Sequence, residues 1–203
     1  MTVQEEVTEA AQRLTSLLDC RADIPAERSL TDYDIALLWL RIRQQGIDKY
    51  LFCTGAIDSL DKFKTFVRNE FLWVYAGFSR ETGEPCALGI LDDFQGATCK
   101  LHYTFFRNNE AIKNKEKYAK AFVDFLFANH TIDCLVLLTP DSFHHSNRLA
   151  LALGGERLGS LPSIIPVKDG DELVYGESNL YKLVSPHYHP KMRRSIKEVI
   201  RYG

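Results

Sequence analysis

Apolar residues first recur at helical spacing, at Val3, Val7, Ala10, Ala11, Leu14, Leu17 and Leu18, and predict an amphipathic N-terminal helix over residues 3–20. Ile24, Pro25 and the charges after them interrupt the pattern. Ser29-Leu30-Thr31 reads as a short first strand, and Asp32 as the N-cap of a helix over residues 32–45 that Gly46 ends. Residues 50–53 fit no single period, and residues 60–68 read as a short helix capped by Asp58 or Ser59.

The period then changes from helical to extended. Residues 71–79 are aromatic and strand-like, residues 81–84 form a turn, and residues 85–91 return as a second strand. A turn over 92–96 leads into a strand over 98–106, which completes a three-stranded meander. Residues 110–129 are helical, with Ala111, Ile112, Tyr118, Ala121, Phe122, Phe125 and Leu126 on one face. Residues 133–139 are almost continuously apolar, as in a buried central strand, and Pro140 and Asp141 break them. A compact helix over 145–153 ends at Gly154-Gly155. Strands over 156–161 and 180–184 follow, separated by a turn around residues 168–178. The order predicts an α/β (α+β) fold, a mixed and mostly antiparallel sheet flanked by helices.

The 203 residues suit one domain over 1–203, with its core over about 27–185. A basic tail over 187–203, bearing Lys191, Arg193, Arg194, Lys197 and Arg201, reads as a solvated surface segment. With 45% hydrophobic and 26% charged residues the chain is not of the disordered class. A net charge of −2 gives no reason to expect nucleic acid or membrane as a partner, and no run reaches the roughly 18 apolar residues of a membrane span. The acidic N-terminus is not a secretory signal. Five scattered cysteines without CxxC spacing point to a reduced, cytoplasmic protein, with Cys86, Cys99 and Cys134 as small hydrophobes. His144-His145 near Asp141 lack a third ligand at persuasive spacing, so no metal is expected. Phe105, Phe106, Phe122, Phe125 and Phe127 read as core.

The chemistry concentrates in residues 99–155. Two strands there each deliver their ends to the start of a helix, about thirty residues apart, and helix N-termini offer backbone N–H groups to phosphate. The run TPDSFHHSNRLALALGGERLG over 139–159, with Gly155 and Gly159 in a G-x-x-x-G rhythm, resembles the GNAT N-acetyltransferase superfamily. The element order over 27–185 is similar to that family, as are Asp171 and Leu180-Tyr181-Lys182-Leu183 to its terminal hairpin.

The resemblance implies that the strand over 98–106 splays from that over 133–139, with acetyl-CoA or another acyl-CoA in the wedge. Tyr103, Phe105 and Phe106 would then present backbone groups to pantetheine. Arg107, Asn108, Asn109 and Ala111 would form the pyrophosphate loop, and His144 or Asn147 would lie beside pantetheine. Members of the family usually carry R/Q-x-x-G-x-G/A at that loop. This chain has Arg107-Asn108-Asn109-Glu110-Ala111-Ile112-Lys113, without glycine and with Glu110 repelling phosphate, so Arg107, Lys113 and Lys115 would compensate by charge. Where many members carry a carboxylate this chain reads Cys99-Lys100-Leu101-His102, which leaves His102 as the nearest base and Tyr103 as proton donor. A tyrosine frequent in the family's helix after the fifth strand is absent, because the helix over 145–153 reads Arg148-Leu149-Ala150-Leu151-Ala152-Leu153. The implied activity is acyl-CoA-dependent transfer to an amine acceptor. The alternative is a GNAT-fold binding or assembly protein without catalysis.

Overall fold

The computed structural model describes residues 3–25, 27–52, 55–169, 172–186 and 188. Cys53, Asp171 and the tail beyond Tyr188 lie outside the described residues. Helix α1 (Val3–Leu17) leads into strands β1 (Asp19–Ile24) and β2 (Glu27–Arg28). Helices α2 (Asp32–Gln44), α3 (Asp48–Leu51) and α4 (Leu60–Val67) follow, and then the meander β3 (Trp73–Phe78), β4 (Pro85–Gln95) and β5 (Thr98–Phe105). Helix α5 (Asn109–Asn129), β6 (Cys134–Pro140), α6 (His144–Ala152), β7 (Glu156–Asp169) and β8 (Glu172–Val184) complete the chain. The eight strands form one sheet in the order β2-β1-β3-β4-β5-β6-β8-β7. Its pairs are antiparallel except β5–β6, which the crossover through α5 makes parallel.

Three expectations are corrected. Residues 29–31 are not a strand: Ser29 and Leu30 donate their N–H groups back to the Ala22 carbonyl, and the first strands are β1 and β2. β1 alternates Asp19, Arg21 and Asp23 with Cys20, Ala22 and Ile24, but it follows the apolar helical run directly, and Cys20 and Ala22 are small beside three charges. Arg21 binds Asp19 and Asp34, and Arg68 binds Asp23, so these charges are paired where they lie. The N-cap of α2 is Thr31 rather than Asp32: its hydroxyl accepts from the Asp34 N–H, and the Asp34 carboxylate accepts from the Thr31 N–H at 2.8 Å. Asp32 instead stands on the first turn, where hydrogen bonds from Arg68 and Lys64 lower its pKa.

The third correction concerns strand ends. β4 runs through the expected turn at 92–96 to Gln95, with a register irregularity between Asp92 and Gln95 and Asp93 at φ +50°. The last hairpin stays paired as far as Asp169 and Glu172, so its turn is far tighter than residues 168–178.

Helices α2 and α4 cover one face, where Ile35, Leu38, Ile42 and Phe63 pack on Val74, Ala76, Leu88 and Ile90. Helices α5 and α6 cover the other, where Val123, Leu126 and Ala150 pack on Leu91, Leu101, Leu135 and Leu137. Leu18, which follows α1, joins Tyr118 of α5 over Cys86 on that second face. The α6 stop needs two glycines for different reasons. Gly154 has φ +86°, while a Cβ on Gly155 would stand 2.6 Å from the Ala150 carbonyl oxygen that its own N–H bonds.

Candidate active site

β5 and β6 pair over three positions only, Thr98 with Cys134, Cys99 with Leu135 and Lys100 with Val136. Beyond them β5 stays on β4, up to Phe105 opposite Ala87, while β6 stays on β8, up to Pro140 opposite Ser178. The two strands therefore part into a wedge whose facing edges make no ladder with each other. Such edges are able to hold an extended chain by main-chain hydrogen bonds.

His102 lies two residues beyond the last β5–β6 pair. Its register partner Ile90 packs in the α2–α4 core, whereas Leu101 and Tyr103 pack toward α5 and α6, so the imidazole stands on the α2 face. It is exposed, and its Nε2 lies 3.2 Å from Oδ1 of Asp92 on β4. Lys100 is the residue opposite Asp92, but its ammonium reaches Asp93 at 2.6 Å. The irregularity in β4 thus leaves Asp92 to His102. Asp92 was missed from the sequence because residues 92–96 read as a turn; a strand carried on to Gln95 sets Asp92 diagonal to His102.

Tyr103 points to the opposite face. Its hydroxyl donates to the Ser146 carbonyl at 3.2 Å and so spans the wedge from β5 to α6. Burial, then the neighbouring Tyr181, raises its pKa. Phe105 is half-buried beside Leu17, Leu18 and Tyr118. Phe106 is buried in the α2–α4 core, and its N–H bonds the Cys86 carbonyl. In the loop that follows, the Arg107 N–H donates to Gln45 Oε1 at 2.6 Å and the Asn108 N–H to the Phe106 carbonyl at 2.9 Å. The Asn108 side chain is tied to the Pro85 carbonyl. Asn109 and Ala111 begin α5. The first two amides of the expected phosphate loop are therefore occupied from within, while the Arg107 side chain is exposed.

The second junction is more completely built. Asn147 donates to the carbonyls of Pro140 and Phe143 at 3.0 and 3.1 Å. Its Oδ1 accepts from Asn179 at 3.0 Å and from the Tyr181 hydroxyl at 2.8 Å. Asn147 thus fastens the start of α6 to the end of β6 and to β8. His144 and His145 are exposed, with Nδ1 of His145 2.8 Å from Arg148. Asn179 also donates to Asp141, but its own Oδ1 is buried without a partner, as is Oγ of Ser178. A buried acceptor without a donor is costly, but Asn179 stands on β8, with β6 between it and the open edge of β5. The open strand edges, beside a loop whose first amides are occupied, fit an extended, amide-bearing ligand better than they fit its phosphates.

Among the described residues no cluster suits a metal ion, and no helix is long and apolar enough to cross a membrane. Burial pushes the Cys20 and Cys99 thiols up to about 12, which removes them as nucleophiles at neutral pH.

No protein-family model matches the chain, and no curated protein does. Solved structures do. A spermidine N-acetyltransferase from Vibrio cholerae, in complex with CoA and spermine, aligns with a TM-score of 0.68 at 11% identity over 84% of this chain and 96% of that one. A ribosomal-protein-S5-alanine acetyltransferase from Vibrio fischeri gives 0.61 at 10% identity, over 79% and 93%. An acetyltransferase of the GNAT family from Bacillus anthracis gives 0.51 at 14% identity, over 63% and 75%. The mixed sheet, the wedge between its parallel strands and these alignments agree: the chain has the GNAT acetyltransferase fold.

Proposed function

We propose that the protein is an acyl-CoA-dependent N-acyltransferase acting on an amine. The observation that carries this is the parting of β5 from β6 after three paired positions, which leaves two strand edges open beside the α6 junction. Pantetheine lies along the β5 edge, its amide N–H groups meeting the carbonyls that β6 leaves open there. Arg107, Lys113 and Lys115 neutralise the phosphates by charge in place of glycine-borne amides.

The amine approaches from the α2 face. His102 takes its proton at Nδ1, the ring nitrogen turned away from Asp92. The nitrogen then attacks the thioester carbon, the C–N bond forms and the C–S bond breaks. The thiolate leaves and takes up the proton that nitrogen sheds as the amide forms. N–H groups of the open β5 edge polarise the thioester carbonyl. Support for an amine acceptor comes from the spermidine acetyltransferase of the same fold, solved with CoA and spermine. Release of free CoA thiol from acetyl-CoA with a panel of primary amines tests the reading. Turnover by wild type and its loss in His102→Ala with acetyl-CoA binding retained are expected; unchanged turnover in that variant removes His102 from the chemistry.

One observation favours the non-catalytic reading, in which the fold serves as a binding or assembly module. It is the internal capture of the Arg107 and Asn108 amides. Absence of turnover with every amine, together with retained CoA binding, would support it.

A further inference from the structure

A cavity of about 210 Å³ lies between the sheet and the helices α1 and α5. Leu14 and Leu18 form its α1 side and Phe122 and Val123 its α5 side, over a floor that includes Ala87 and Gly89 of β4. Gly89 lets the Phe122 ring of the α5 wall rest directly on the sheet, where a Cβ would stand 2.6 Å from it, and Ala87 beside it adds only a methyl group to the floor.

Several polar groups in the lining are already engaged. Arg21 is bound to Asp19 and Asp34, Glu27 accepts from Ser29, the Tyr75 hydroxyl lies 2.8 Å from Nε2 of His130, and the Thr15 hydroxyl donates to the Ala11 carbonyl. A polar occupant would gain little from these groups. A hydrocarbon would supply the dispersion contacts that the lining atoms lack.

The cavity shares residues with the elements that border the wedge. Leu101, Tyr103 and Phe105, which line it, belong to the splayed half of β5, and Leu153, which also lines it, follows α6 on the other side of the splay. From this we propose that the cavity receives the acyl chain of a medium-chain acyl thioester, so that the protein transfers acyl groups longer than acetyl. The inference rests on the acyltransferase reading and adds the class of acyl donor. An engineered cavity of about 150 Å³ holds the six carbons of benzene, so by proportion this one takes roughly eight.

Calorimetric titration of the full chain with acetyl-, octanoyl- and palmitoyl-CoA, and with free octanoate, tests this. Affinity should rise by up to about fourfold per methylene and reach at least ~100-fold over acetyl-CoA at eight carbons. Palmitoyl-CoA should gain nothing beyond octanoyl-CoA. In Ala87→Leu, which fills the floor, octanoyl-CoA should fall toward the affinity of acetyl-CoA while the melting temperature is held. Equal affinities for acetyl- and octanoyl-CoA in wild type would overturn the inference and leave the acyltransferase reading standing. Octanoate bound as tightly as octanoyl-CoA would also overturn it, because the ligand would then be a free acid. Failure of every CoA species to bind would instead be the failure of the acyltransferase reading.

Discussion

His102 and Asp92, on neighbouring strands, lie with Nε2 and Oδ1 3.2 Å apart, and Lys100, which stands opposite Asp92 in the ladder, is drawn away to Asp93. A carboxylate at one ring nitrogen fixes the orientation of the imidazole and leaves the other nitrogen to exchange a proton. β5 carries no carboxylate, and β4 sets that of Asp92 beside the imidazole instead.

Asp92→Asn should lower kcat by about tenfold, below the roughly hundredfold of a typical general base because Asp92 acts through His102 and the pair is partly exposed, with KM for acyl-CoA unchanged. Asp93→Asn is the control, since its carboxylate holds Lys100 and not His102. Steady-state kinetics of both variants decide it. A fall in Asp93→Asn equal to that in Asp92→Asn would mean that the strand end matters only as structure.

Gln45 holds the Arg107 amide, the first in the loop that leads into α5. Gln45→Ala frees the Arg107 N–H, and an amide open to phosphate is worth about one hydrogen bond to a charged group. Affinity for CoA should rise several-fold in the variant, measured by calorimetry. A loss of affinity would show that the Gln45 contact shapes the loop for phosphate rather than blocking it.

Much of this was legible in sequence, and the rest depended on partners that lie elsewhere in the chain. The period change near residue 71, the apolar run at β6 and the Gly154-Gly155 stop carry their elements without help from the remainder of the chain. β1 was hidden because its charges are paired by residues distant in sequence, Arg21 with Asp34 and Asp23 with Arg68. His102 was legible as a residue type on a strand. Asp92 was not, because its partnership depends on how far β4 runs and on Lys100 turning to Asp93. The capture of the Arg107 amide by Gln45, 62 residues away, left no trace in the local pattern.

His130 supplies a pH-dependent term of known sign. Its ring sits among Trp73, Tyr75 and Phe125, and burial lowers its pKa from 6.5 to about 4. The folded state holds the neutral ring, so its stability is fully present above pH 6.5 and declines as pH falls toward 4, by roughly 3 kcal/mol in all. His130→Gln removes this titration while keeping a hydrogen-bonding group near Tyr75. Between pH 7 and 4.5, urea denaturation should show wild type losing roughly 2–3 kcal/mol more than the variant. Equal losses would contradict a buried neutral imidazole.

Binding of an acyl-CoA in the wedge between β5 and β6 is decided by calorimetric titration of the protein with CoA and acetyl-CoA. We expect saturable one-to-one binding in the micromolar range, and at a hundredfold excess over Kd a gain of about 2.7 kcal/mol in stability. No heat and no shift in melting temperature at millimolar ligand would contradict it.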